Sequence, residues 1–312
     1  MKPSDKIVIA GGAGLVGQNL ILMLQEKGYE NVVSLDKHTA NNRILLEYNP
    51  SIRVIECDLA EKGAWINELT GAQCIVFLQA QIGGLNKDEF VRNNLKSTEI
   101  LLEEAVRVQI PYLVHISSSV VNSVAYDFYK ETKDAQEHLV DQGPIRHCVL
   151  RPTLMFGWFD RKHLGWLSRF MRRAPIFPIP GSGRYIRQPL FVLDFCKIII
   201  ACMEQQRTGT FNISGLERVN YIDIIRQIRD VLRLRTRIVT IPYRLFDLLL
   251  RIYALFDRNP PFTTQQLAAL VIPEEFEMID WPAIFGVQQT PWMEALRRTF
   301  QEPPYCNVVL EF

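Results

Sequence analysis

Long apolar runs are missing from this 312-residue chain: none reaches the roughly 18 residues that a membrane-spanning helix needs, so no span is expected. A charge surplus is missing too. The 35 Lys and Arg stand against 34 Asp and Glu, a net +1, which argues against a dedicated nucleic-acid binder. The six cysteines, at 57, 74, 148, 196, 202 and 306, include no C-x-x-C pair. Cys57, Cys74 and Cys148 sit in apolar runs, so reduced core thiols in a reducing, cytoplasmic setting are expected. The five histidines form no H-x-H or H-E-x-x-H array, and no metal site is expected. No signal peptide is read at the start: residues 1–6 are polar, and the apolar stretch Ile7–Val16 is broken by three glycines. Repeats and low-complexity segments are absent. What remains is 48% hydrophobic and 22% charged, the composition of an ordinary globular protein of one large or two smaller domains.

Through the first half, short apolar runs alternate with helical patterns. Lys6–Ala10, Asn31–Asp36, Arg53–Cys57, Gln73–Leu78, Tyr112–Ser117 and His147–Pro152 read as six strands. They are continuous rather than alternating, as in a parallel sheet covered on both faces. Phe90, Leu95, Leu101, Leu102, Ala105 and Val106 form a helical stripe between two of them. The class implied is α/β, a Rossmann-type doubly wound parallel sheet. After Pro152 the pattern changes. A helix is expected around Leu164–Arg173, a strand and helix over Leu190–Met203, and a strand at Thr210–Ser214. Helices are then expected over Tyr221–Leu234, Tyr243–Phe256 and Thr263–Leu270, forming a smaller, mostly helical domain. The most apolar segment, Leu245–Phe256, contains Asp247 and Arg251 and reads as a buried amphipathic helix, with a membrane surface as the alternative.

Ile7-Val8-Ile9-Ala10 runs into Gly11-Gly12-Ala13-Gly14-Leu15-Val16-Gly17 and then a helix. In this G-x-x-G-x-x-G turn, Gly11 allows the sharp exit from the strand. Gly14 lets backbone approach a pyrophosphate, and Gly17 lets the helix pack on the sheet. The helix N-terminus offers free N–H groups to phosphates. Asp36 closes the second strand, where a carboxylate accepts from a ribose diol and repels a 2′-phosphate. NAD is therefore expected over NADP, with Lys37 and Arg43 near enough to soften the preference. Asp58, after the third strand, suits an adenine amino group or a helix cap.

The fifth strand ends in Ser117-Ser118-Ser119, and Tyr129 and Lys133 follow at i and i+4, on one helix face. A phenol of pKa about 10 is a poor base until nearby positive charge stabilises its phenolate. With Lys133 beside it, Tyr129 can exchange a proton with an alcohol or ketone while hydride moves at the same carbon, and Ser119 can bond that oxygen.

In this order, these pieces resemble the extended short-chain dehydrogenase/reductase family, in its NAD-dependent epimerase/dehydratase branch acting on nucleotide sugars. The resemblance covers about residues 5–215. It also rests on Cys57-Asp58-Leu59, Asn94-Leu95-Lys96-Ser97-Thr98, Arg151-Pro152-Thr153 before Phe156-Gly157, and the run from Arg187 to Asp194. It implies cofactor contacts at Gly11, Gly14, Leu15, Val16, Gly17, Asp36, Asp58, Leu59, Ala80, Ser117, Tyr129 and Lys133. Lys133 would also hold the nicotinamide ribose. Substrate contacts are implied at Ser119 and at Arg187, the cation for a substrate diphosphate. Asn94 either takes part or ties down a neighbouring strand end. The implied division is an NAD-binding domain of 1–157 plus about 190–215, with 158–189 and 216–312 forming a substrate lid. A nucleotide-diphosphate sugar is the expected partner, and a homodimer is compatible.

The family's His-Leu-Ala-Ala is replaced by Phe77-Leu78-Gln79-Ala80, which alters the wall expected near the nicotinamide. Its Val-Tyr-Gly is replaced by Val121-Asn122-Ser123, and the loop from Ser119 to Tyr129 is short. Between Asp160 and Arg187 lie Arg161, Lys162, Arg169, Arg172, Arg173 and Arg184, interleaved with Trp158, Trp166 and Tyr185. These suit an anionic sugar nucleotide, a solvated helix face for Arg169, Arg172 and Arg173, or anionic lipid. The leading reading is redox at a sugar-ring hydroxyl, as a C4 epimerase or a 4-keto reductase. The alternatives are a non-catalytic dinucleotide-binding subunit or sensor, and a dehydrogenase of a hydrophobic alcohol such as a sterol.

Overall fold

The computed structural model describes residues 1–84, 86–123, 127–256, 267, 270–271 and 277–311. All six expected strands form: β1 (Lys6–Ala10), β2 (Val32–Asp36), β3 (Arg53–Glu56), β4 (Ala72–Phe77), β5 (Tyr112–Ile116) and β6 (Arg146–Pro152). Helices α1 (Leu15–Glu26) and α2 (Thr39–Tyr48) connect the first three strands. Between β4 and β5 the chain runs through α3 (Lys87–Phe90), a π-turn over Val91–Lys96 and α4 (Ser97–Arg107). Helix α5 (Phe128–Gln142) then leads to β6.

Short pieces follow: β7 (Met155–Phe156), α6 (Leu164–Arg173), β8 (Ile176–Pro180), β9 (Ile186–Arg187) and β10 (Leu190–Phe191). Helix α7 (Val192–Gln205) precedes β11 (Gly209–Ile213), which returns to the sheet beside β6. The sheet is parallel throughout, in the order β11-β6-β5-β4-β1-β2-β3. The order reverses between β1 and β4, the switch point where a crevice opens outside the carboxyl ends of the strands.

Side chains alternate across the sheet. Ile7 and Ile9 face one core with Leu20, Leu24 and Ile198, whereas Val8 and Ala10 face the other with Leu101, Ala105 and Val140. Both faces are covered, which explains the unbroken apolar runs. β3 lies at the edge, and its termini Arg53 and Glu56 are exposed.

Outside the sheet, β7 pairs with β10, β9 with β12 (Val219–Asn220), and β8 with β13 (Arg237–Ile241). Helix α6 starts on Asp160, whose buried carboxylate accepts from the Lys162, His163 and Gly165 N–H groups. Helix α8 is Tyr221–Val231, shorter than expected because the chain turns at Arg233, where φ is +53°. Asp194 in α7 accepts from both the N–H and hydroxyl of Thr290, anchoring the segment before the helix Trp292–Gln301. The last described residue, Glu311, is clasped by Asn41 of α2 through reciprocal bonds of 2.7 and 2.8 Å.

One expectation is corrected. Helix α9 (Tyr243–Phe256) forms where predicted, but its apolar stripe is not buried: Leu245, Leu248, Leu249 and Ile252 remain 44–52% exposed. Periodicity requires only that the stripe exist; among the described residues these four find no neighbouring layer to cover them. The helix expected over Thr263–Leu270 lies outside the described residues except at 267 and 270. No helix of the described residues is long and apolar enough to cross a membrane.

Candidate active site

The glycine turn leaves β1 at the switch point. Gly11 has φ +83°, and a Cβ there would lie 2.6 Å from the Gln79 backbone nitrogen at the end of β4. A Cβ on Gly17 would fall 2.3 Å from the Gly12 carbonyl oxygen, so α1 is pressed onto the turn. Gly14 differs. It caps α1, and a Cβ there would meet only the Gly11 carbonyl at 3.5 Å. No protein atom demands a glycine there, and the open space beside the N–H groups of the α1 terminus could hold a pyrophosphate. Leu15 and Val16 form the first turn of that helix. Gly12 was not singled out from sequence, yet it is buried against Ser34; the doubled glycine was its only sign.

Asp36 stands at the carboxyl end of β2, buried. Its Oδ2 accepts from Ala13 N–H and its Oδ1 from His38 N–H, both at 3.0 Å, which fixes the carboxylate beside the turn. Lys37 turns away to Asn93, at 2.8 Å. Asp58 caps Ala60 N–H and pairs with Arg92 at 2.5 Å, a partner that sequence did not reveal. Burial pushes the Asp58 carboxyl up, but the Arg92 and Ala60 hydrogen bonds and Lys37 hold it below the usual range. Leu59 beside it is buried, and Ala80 is half-buried beyond β4.

Asp127 caps α5 by accepting from Lys130 N–H at 2.7 Å. The first turns of that helix then present Tyr129 and Lys133 to the end of β5. Lys133 is buried, and its ammonium donates to the Ile116 carbonyl at 2.9 Å. Tyr129 is half-buried, and Ser118 is the serine that bears on its phenol. Ser119 is buried at the start of a 3₁₀ turn, Ser119–Asn122. The Ser117 hydroxyl is buried with no partner among the described residues. Burial pushes the Tyr129 phenol up to about 12, with Asp127 adding and Ser118 opposing. Burial pushes Lys133 down to about 7, with Glu137 opposing.

The Lys133 shift has a consequence for stability. Unfolded, the lysine titrates near 10.4, so between about pH 7 and 10 the unfolded chain binds the extra proton. Its contribution should therefore rise with pH across that window. Thermal melts of the cofactor-free protein at pH 7 to 10 should show this slope, and Lys133→Met should lack it. Parallel curves for the two proteins would mean that the lysine is charged when folded.

Behind the pair lies a polar frame. Asn94, fully buried in the π-turn, accepts from Gln81 N–H at 2.6 Å and donates to Thr132 at 2.9 Å. Gln136 donates to the Asn94 carbonyl and to Thr98, which also accepts from Gln79. Asn94 therefore ties the end of β4 to the face of α5, and the π-turn aims it there. Glu137 holds Arg151 of β6 in a forked ion pair.

Phe77 corrects a second expectation. It is buried in β4, edge-on to His115 with centroids 6.3 Å apart, because its side chain points into the sheet-and-helix core and not into the crevice. It forms no wall for a ligand. Arg187, in β9, is buried and donates to the carbonyls of Ile186 and Leu270. Arg169 is spent on the carbonyls of Asp160 and Arg161, whereas Arg172, Arg173 and Arg184 are exposed.

The NAD dependent epimerase/dehydratase family matches this chain over residues 7–214. The low-salt glycan biosynthesis protein Agl12 of Haloferax volcanii is 28% identical over 249 residues, 69% of this chain and 78% of that protein. The UDP-N-acetylglucosamine 4-epimerase of Methanobrevibacter ruminantium, solved with UDP-N-acetylmuramic acid, superimposes with a TM-score of 0.76 at 17% identity, covering 97% of this chain and 98% of that one. The UDP-glucuronic acid 4-epimerase of Bacillus cereus, solved with NAD, superimposes with a TM-score of 0.67 at 24% identity, covering 76% and 86%.

Proposed function

The chain belongs to the NAD-dependent epimerase/dehydratase family, and from that premise we propose that it carries out redox at a sugar-ring carbon of a nucleotide sugar, in the manner of a C4 epimerase or a 4-keto reductase. The observation that carries this reading is the placement of Tyr129 and Lys133 at the end of β5, on the same strand-end side of the sheet as the glycine turn. The turn at Gly11, Gly14, Leu15, Val16 and Gly17 would take the pyrophosphate of NAD. Asp36 would take its adenosine ribose, and Asp58 and Leu59 its adenine. Ala80, Ser117, Tyr129 and Lys133 would line the nicotinamide end.

The cofactor, when bound, supplies the hydride acceptor and donor. The protein's own residues handle the proton. Tyr129 takes it from the sugar hydroxyl as the C–H bond at that carbon breaks, and gives it back when the ketone is reduced. Lys133, fixed by the Ile116 carbonyl, supplies in its protonated form, which burial confines to below about pH 7 in the cofactor-free protein, the positive charge that lowers the cost of the phenolate. Ser118 steadies the phenol oxygen, and Ser119 bonds the sugar oxygen. Arg187 would hold the substrate diphosphate by exchanging its bonds to the Ile186 and Leu270 carbonyls for it. Assay of a panel of UDP-, dTDP- and GDP-sugars, with the bound cofactor identified by mass spectrometry, tests the reading. An epimerase returns the inverted sugar with no net change in cofactor, whereas a reductase consumes NADH. Failure to turn over any of them would refute it.

The same site is not built for 4,6-dehydration. That reaction needs an acid and a base to eliminate water across C5 and C6. Ser119 is followed by Val120 and Val121 in the 3₁₀ turn, and neither can move a proton. Incubation with dTDP-glucose or UDP-GlcNAc, followed by NMR, should yield no 4-keto-6-deoxy product. Its appearance at a catalytic rate would show that the acid and base come from another element.

A further inference from the structure

Helix α9 turns its apolar stripe outward. Leu245, Leu248, Leu249 and Ile252 follow helical spacing and are 48, 52, 49 and 44% exposed. Arg244 and Arg251, two turns apart on one side of the helix, edge that stripe, and Arg251 is paired to Asp247 at 2.8 Å. The two-stranded ribbon leading into α9 is built alike. β8 and β13 bury Phe177 and Ile179 but leave Ile176 and Val239 exposed. At the start of the ribbon, a cavity of about 540 Å³ is lined by Arg172, Arg173, Arg235 and Arg237 around Pro175 and Ile176, with no carboxylate among its lining residues.

The charge of this region is lopsided. Residues 161–187 and 233–251, which carry α6, the ribbon and α9, hold 12 Lys and Arg against one Asp, a surplus of 11 in a chain whose net charge is +1. The remainder is therefore strongly acidic. Exposed leucines beside arginines have the chemistry of an interfacial anchor.

We propose that this region docks on an anionic lipid bilayer, with α9 lying in the interface plane. Its four exposed apolar side chains enter the acyl boundary, and the arginines of the cavity, with Arg244, meet headgroup phosphates. A second copy fits less well, because it would bring two regions of like charge together. Nothing in this surface overlaps the Tyr129–Lys133 pair, so docking and turnover are separable.

Flotation of the full chain with vesicles tests the proposal. Vesicles of about 30% phosphatidylglycerol in phosphatidylcholine should bind it at least about tenfold more tightly than phosphatidylcholine alone, and about 0.5 M salt should remove most of that preference. Leu248→Gln with Leu249→Gln should weaken vesicle binding about tenfold. Arg172→Gln, Arg173→Gln, Arg235→Gln and Arg237→Gln together should abolish the preference for the anionic lipid. Both variants should keep NAD affinity and oligomeric state. No flotation with the anionic vesicles would overturn the proposal. So would a leucine variant that still floats but changes from dimer to monomer, which would assign the stripe to a self-interface.

Discussion

Replacing Tyr129 with phenylalanine should lower turnover by about 10²–10⁴-fold, the range set by loss of a general acid–base group. The phenyl ring keeps the volume that fills the first turn of α5, so the helix and the Lys133 bond to Ile116 stay in place. Loss of the hydroxyl and its interaction with Ser118 should cost about 1 kcal/mol of stability. NAD affinity, measured by calorimetry, should hardly change, because Lys133 and the glycine turn are untouched. A fall in kcat with constant cofactor affinity is thus the expected signature. Normal turnover in the phenylalanine variant would remove Tyr129 from the chemistry and leave the crevice without its acid.

The second large effect belongs to Gly17. An alanine there would place its Cβ 2.3–2.6 Å from the Gly12 carbonyl group and Cα. These are backbone atoms in a turn already fixed by Gly11, so the strain cannot be relieved by a rotamer. Overpacking of this kind costs about 1–3 kcal/mol, and here it would also tilt α1 away from the sheet. Gly17→Ala should therefore melt several degrees lower and bind NAD at least about tenfold more weakly. Gly14→Ala is the control. Its Cβ meets only ordinary contact at 3.5 Å, so the fold should keep its melting temperature, while the methyl group intrudes on the pyrophosphate. Equal NAD affinity in Gly14→Ala and the parent protein would show that the phosphates pass elsewhere.

The inner strands were legible because they are buried on both faces, so local composition states the tertiary environment. The ends of β1 and β6 fall within a residue of expectation for that reason, and those of α6 do so because its apolar period is helical. The glycine turn and the i, i+4 pair were legible because their chemistry depends on spacing alone. The rest depended on contacts that spacing does not encode. Three consecutive serines conceal which hydroxyl faces Tyr129; the strand end decides it, and it selects Ser118. Arg92 meets Asp58 across 34 residues, and Gln136 meets Asn94 across 42. Neither pairing leaves a mark on the local sequence. Helix α9 shows the limit most plainly. Its period announces an apolar stripe, but only the neighbouring elements decide whether anything covers it.

The clasp between Asn41 and Glu311 sets a timetable for biogenesis. These residues are 270 positions apart, and at about 5–20 residues per second the ribosome takes roughly 15–50 s to travel between them. During that interval α2, which follows directly on Asp36, lacks its closing partner. The β6 edge likewise waits for β11, and the Asn19 amide for the Trp158 carbonyl. The adenosine side of the crevice is thus synthesised first and finished last. A nascent chain halted before residue 311 would carry every cofactor-contacting residue proposed here, yet hold them in an incompletely assembled frame.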